Sequence, residues 1–162
     1  MLLEPNLIGK PITSVLGSVY FDNQNNIKEE FDGTDIIDFC ISFDDINITI
    51  KGSSDGESLI ISPDSSLINI DMQDQGYIQV MNLSKYLGIE DYFGLNLLTL
   101  RFINLEQKSI GVLLTFPNEK EIYIINLGDE LHFFKSFPNR LLPDGYKIME
   151  QFYGNSPLSK LT

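Results

Sequence analysis

The residues of this chain whose types could do chemistry are His132, Cys40 and several clustered acids. His132 lies in "LHFF" and Cys40 in "DFCISF", each among apolar neighbours and each the only one of its kind. With no second His or Cys at ligand spacing, no zinc motif can be assembled. His132 is therefore expected on the outer or partly buried face of a strand, and Cys40 as a small buried hydrophobe. A Ser-His-Asp set can be drawn on almost any sequence and carries no signal here. "LIGKPITS" joins Gly9 to Lys10 but follows them with Pro11 and lacks the earlier glycine of a phosphate loop.

The acids offer more. "DNQNNIKEEFDG", from Asp22 to Gly33, has oxygen ligands at the spacing of a calcium loop. However, Ile27 takes the place of the obligatory glycine and Gly33 that of the bidentate glutamate, so no cation site is expected there. "SSDGE" packs its oxygens too closely along the chain to encircle an ion. A pair of carboxylates could also hydrolyse a glycosidic bond. Sugar clefts are commonly floored by aromatic platforms, and the chain has no Trp. "FDGTD" does not follow the aspartic-protease order. Neither metal nor organic cofactor is expected, and the chain reads as a protein without catalytic apparatus.

Charge narrows the partner. The chain has a formal net charge of −12. Residues 1–81 carry a formal −11 and residues 82–162 a formal −1. Solubility alone does not require such a split. A nucleic-acid surface needs the opposite sign, so no nucleic-acid partner is expected. A basic protein is the natural complement, because opposed fields accelerate encounter. Asp32, Asp35, Asp38, Asp44 and Asp45, with Asp55 and Glu57 at the next turn, are the residues expected to carry that contact.

The elements that must position these acids are strands. The chain contains no Ala, the best helix former, and is rich in Ile, Phe and Tyr, which favour sheets. Apolar runs bounded by turn residues predict strands at 12–22, 36–43, 46–51, 58–62, 67–72 and 77–81. A second set falls at 97–105, 110–116, 121–126 and 131–134. "ITI" and "IYII" alternate as strands with one buried face do. "NLSKYLGIEDYFG" predicts a short central helix, with Ser84 as its cap and Gly94 as its stop. Ile148, Met149, Phe152 and Tyr153 fit a short C-terminal amphipathic helix, and "NSPLSKLT" a frayed end.

Two stretches align with each other. "IDFCISF" (Ile37–Phe43) and "IGVLLTF" (Ile110–Phe116) match at an offset of 73, "ITI" and "IYI" at 74, and "GESL" and "GDEL" at 72. The fold class expected is therefore mainly β, a β-rich α+β arrangement of about ten short antiparallel strands in meanders, closing as a sandwich or partly open barrel. One domain is expected over 1–162, with pseudo-repeats at 7–62 and 84–134.

The N-terminus shows no signal-peptide pattern, and no apolar run nears the ~20 residues that span a bilayer. A single Cys fits a reducing compartment. A cytoplasmic protein without a membrane partner is expected, and the Ile-, Asn- and Lys-rich usage fits an AT-rich bacterial genome. This profile is similar in general character to the immunity proteins of bacterial toxin systems, acidic proteins that neutralise basic nucleases. The resemblance is one of class and rests on no shared motif. It implies an inhibitor that docks on a toxin domain. Rival readings are a regulatory or scaffold protein that pairs through an exposed strand edge, a hydrolase or calcium-dependent enzyme working through the acid pairs, and a small-molecule binder with an apolar cavity.

Overall fold

The structure, a computed structural model, describes residues 7–22, 33–63, 67–141 and 144–149. The described residues form eleven strands in two antiparallel sheets, and among them no barrel closes. The first sheet contains β1 (Ile12–Phe21), β2 (Ile36–Phe43), β3 (Ile46–Gly52), β4 (Leu59–Ser62), β5 (Ile70–Asp71) and β6 (Tyr77–Asn82), in the order β4-β3-β2-β1-β6-β5. The second contains β7 (Thr99–Leu105), β8 (Lys108–Phe116), β9 (Lys120–Asn126), β10 (Leu131–Phe134) and β11 (Tyr146–Met149), in the order β10-β9-β8-β7-β11. Each sheet is a four-stranded meander extended on the free edge of its first strand, by β6 and then β5 in the first sheet and by β11 in the second. The aligned sequence runs occupy equivalent places: β2 and β8, β3 and β9, β4 and β10.

The sheets are held face to face by one apolar core. Phe39, Ile41 and Phe43 of β2 alternate with Asp38, Cys40 and Ser42, so that one set points at the opposite sheet. They meet Leu100 and Phe102 of β7, Val112, Leu114 and Phe116 of β8, and Ile122 and Ile124 of β9. Each such side chain, fully buried, contributes ~1.5–3 kcal/mol. Phe39 and Phe133 approach across the layers with ring centroids 6.3 Å apart.

The second sheet is apolar on its outer face as well. Ile103, Ile110, Leu113, Tyr123 and Ile125 form a second cluster there, covered by Phe137 from the β10–β11 connection and by Tyr146, the first residue of β11. The ring of Phe137 stands edge-on to Tyr123 at 5.6 Å. Consequently Ile122 through Asn126 are all buried, and the expectation that "IYII" buries one face is corrected: both faces of β9 are covered.

Three further expectations change. The central helix is only one turn long. Leu87 N–H donates to Leu83 C=O, and then Gly88 N–H to Lys85 C=O and Ile89 N–H to Ser84 C=O close the turn, with Gly88 at φ +63°. That paired closure stops a helix at once. Ser84 caps nothing; its amide and hydroxyl both donate to Asn82 Oδ1. A single 3-10 turn at Glu90–Tyr92 follows. The C-terminal helix is replaced at its start by β11, which lies on β7 with Ile148 opposite Ile103, while Phe152, Tyr153 and the expected frayed end lie outside the described residues. The strand expected at 67–72 shrinks to Ile70–Asp71, because Asn69 Oδ1 takes the Val80 N–H at 2.7 Å in place of a backbone partner.

Candidate functional site

The expected acidic site divides between the two ends of the sandwich. β2 runs from Asp35 at one end to Asp44 and Asp45 at the other, and its eight residues span ~26 Å. Asp44 and Asp45 form the tip of the β2–β3 hairpin, where Asp44 takes φ +55°. Asp45 is paired with Lys10, which holds its carboxyl below the usual range and pushes the Lys10 ammonium up. Asp38 lies on the outer face of β2, opposite Lys51 in register, and burial raises its carboxyl above the ordinary value. Asp32 lies outside the described residues, as does most of the Asp22–Gly33 run.

Asp35, Asp55 and Glu57 share the other end, and the second sheet brings more acids to them. Glu130, in the β9–β10 turn, hydrogen-bonds with Asp35; burial and that neighbouring carboxyl raise the Glu130 carboxyl above its usual range. Asp129 of the same turn presses against Gly56. Lys108, opening β8, pairs with Glu57 and lies 4.0 Å from Asp55. Glu106 sits in the β7–β8 hairpin beside them, at φ +56°. Six carboxylates, Asp35, Asp55, Glu57, Glu106, Asp129 and Glu130, thus come to one end of the sandwich, and Lys108 pairs with Glu57 among them.

Asp55 is the keystone of its own turn. Its carboxylate accepts from the Ser53 hydroxyl, from the amides of Glu57 and Ser58 at 2.9 Å each, and from the Ser58 hydroxyl at 2.9 Å. The Ser53 hydroxyl, followed by the Ser58 amide and hydroxyl, pulls its pKa down to about 2. "GSSDG" (Gly52–Gly56) has the spacing Gly-x-Ser-x-Gly, but it joins two strands of one hairpin. A nucleophile elbow needs a helix after the turn, so Ser54 is a loop serine. His132 follows on β10, with its ring stacked on Phe134 at 6.4 Å and its Nε2 3.8 Å from Glu130 Oε2. Cys40 is buried.

Between the β3–β4 turn, the β7–β8 hairpin and the β9–β10 turn lies a cleft of about 470 Å³. Leu105, Ile110, Leu127 and Leu141 supply its apolar lining, and Glu57, Glu106 and Lys108 its charged side chains. Asn126 also lines it, is only 6% exposed, and ties the sheets together: its Nδ2 donates to the carbonyls of Gly56 at 3.3 Å and Ser58 at 3.0 Å. Its Oδ1 is buried and has no hydrogen-bond partner. A second hollow, of about 690 Å³, runs along β5 and is lined by Asn69, Asp71, Gln73 and Tyr77.

Glu106, Asp129, Glu130, Lys108 and Asn126 were not among the expected site residues. The alignment of "GESL" with "GDEL" was the signal that could have found Asp129 and Glu130. Among the described residues, no three of His, Cys, Asp and Glu converge as metal ligands, and no helix is long and apolar enough to cross a membrane. Comparison with known protein families, with curated proteins and with solved structures finds no match for this chain.

Proposed function

We propose that the chain is a non-enzymatic acidic module that docks a basic protein through the end of the sandwich formed by Asp35, Asp55, Glu57, Glu106, Asp129 and Glu130. In this reading it is an immunity or inhibitor protein, cytoplasmic and bacterial, that covers the cationic face of a toxin domain. The observation that supports it is the gathering of Asp35, Asp55, Glu57, Glu106, Asp129 and Glu130, from both sheets, at one end of the sandwich, where Lys108 pairs with Glu57. Such a field raises the rate of encounter with a cationic surface and suppresses docking of anionic ones. The rival, pairing through a sheet edge, has less to work with: the outermost strands β4, β5, β10 and β11 have four, two, four and four residues.

The test is capture from a lysate of the source organism on immobilised protein, beside the variant Glu57→Gln, Glu106→Gln, Asp129→Asn and Glu130→Gln. A basic protein retained by the native chain alone, and released as salt rises, supports the reading. Equal retention by both proteins, or release that ignores salt, overturns it.

A further inference from the structure

We infer that the cleft between the β3–β4 turn, the β7–β8 hairpin and the β9–β10 turn is a socket for one arginine side chain of the basic partner. This rests on the docking reading and names the chemical group that inserts.

Three separate features of the cleft match that group. Glu57 and Glu106 supply negative charge at its walls. Lys108 already shows that the Asp55–Glu57 side accepts a cation, since its ammonium pairs with Glu57 and lies 4.0 Å from Asp55. An incoming cation is therefore left to Glu106 and the second oxygen of Glu57. The apolar lining of Leu105, Ile110, Leu127 and Leu141 suits the methylene stem that long cationic side chains bury behind their charged heads.

The third feature is independent of charge. Asn126 spends its amide hydrogens on the carbonyls of Gly56 and Ser58, which fixes the orientation of its amide and leaves Oδ1 as a buried acceptor without a donor. Asn126 lines the cleft, and an orphaned acceptor loses its hydration with nothing in return, so a guest that displaces the wall enough to bring a donor to Oδ1 gains by it. A guanidinium carries five N–H donors in a fixed fork and an ammonium only three on a point charge. Serving two carboxylates and an amide oxygen at once suits the fork.

The experiment titrates the 15N-labelled full chain with acetyl-hexaarginine amide at low salt, with the hexalysine peptide in parallel. The Asn126 side-chain amide and the backbone amides of residues 106–110 and 128 are expected to shift first and furthest, with arginine binding tighter than lysine. Glu106→Lys, a change at an exposed turn residue, is expected to weaken hexaarginine by at least about fivefold, and Asp44→Lys at the opposite end by less than about twofold. Shifts centred on Asp44 and Asp45, or affinity unmoved by Glu106→Lys, overturn the socket while leaving cationic docking intact. Absence of any hexaarginine binding at low salt overturns both.

Discussion

Gly56 of the β3–β4 turn faces Asp129 of the β9–β10 turn so closely that a β-carbon on Gly56 would stand 3.3 Å from Asp129 Oδ1. The two turns that share a glycine-acid pattern in sequence thus meet across the sandwich. Acids from the strongly negative half of the chain and from its nearly neutral half end on one surface, so the acidic end is a product of folding the two sheets together.

That contact gives a first prediction. Gly56 has φ +72°, a left-handed conformation that an added β-carbon disfavours by roughly 1–2 kcal/mol. Gly56→Ala also requires Asp129 to give way. The substitution is expected to lower the unfolding free energy by that amount, read as a lower urea midpoint at unchanged m-value; an unchanged midpoint would show that the turn relaxes freely.

The fold was legible where alternation was strong. Ile36–Phe43 and Leu131–Phe134 form strands at the expected residues, because their apolar faces and flanking turns agree. The central helix was misread because Gly88, well before the expected stop at Gly94, takes φ +63° and closes the turn. Asp44 and Asp45 were grouped with Asp35 because they are close in sequence, but an eight-residue strand separates them by its whole length. Glu106 and Glu130 were missed for the converse reason: a charge count by halves of the chain cannot see that β7–β10 return their turns to the end where β3 meets β4. Asn126 carried no sequence signal, since its role depends on a contact 70 residues away, at Gly56.

Asp55 makes a pH prediction. Its pKa is about 2 in the folded chain against an ordinary 3.8. The unfolded chain therefore holds this proton more tightly, and the stability that the ionised carboxylate supplies is present above about pH 4 and lost as pH falls toward 2. Thermal melts followed by circular dichroism are expected to fall over that window more steeply for the native chain than for Asp55→Asn. The variant should already melt a few degrees lower at neutral pH. Parallel pH curves for the two proteins would contradict the keystone role.

Glu130 has the opposite sign. Burial and Asp35 raise its carboxyl, so the folded chain binds this proton more tightly than the unfolded one. The penalty for ionising it is present at neutral pH and is relieved as pH falls through the raised value. Glu130→Gln is expected to stabilise the chain slightly at pH 7, with the gain vanishing in mild acid. A variant less stable than native at pH 7 would mean that the contact of Glu130 with His132 outweighs its repulsion from Asp35.

The outer faces of the two sheets give the last prediction. Asp38 sits opposite Lys51 on the first sheet; at the aligned places on the second, Gly111 sits opposite Ile125. A β-carbon at Gly111 would stand 2.9 Å from the carbonyl oxygen of Ile124 and 3.0 Å from Ile125 Cγ1, with the Ile103 side chain at 3.3 Å. A carbonyl locked in a ladder cannot move aside cheaply, so Gly111→Ala is expected to cost ~1–3 kcal/mol by overpacking. Gly111→Asp, which copies the residue of the first sheet, should cost more, because its carboxylate would meet Ile103 and Ile125 where Asp38 meets Lys51. Denaturant unfolding of the three proteins checks the order native, Ala, Asp. If Asp is no worse than Ala, water reaches this face of the second sheet, and the layer of Phe137 and Tyr146 over it is looser than their packing against the second cluster implies.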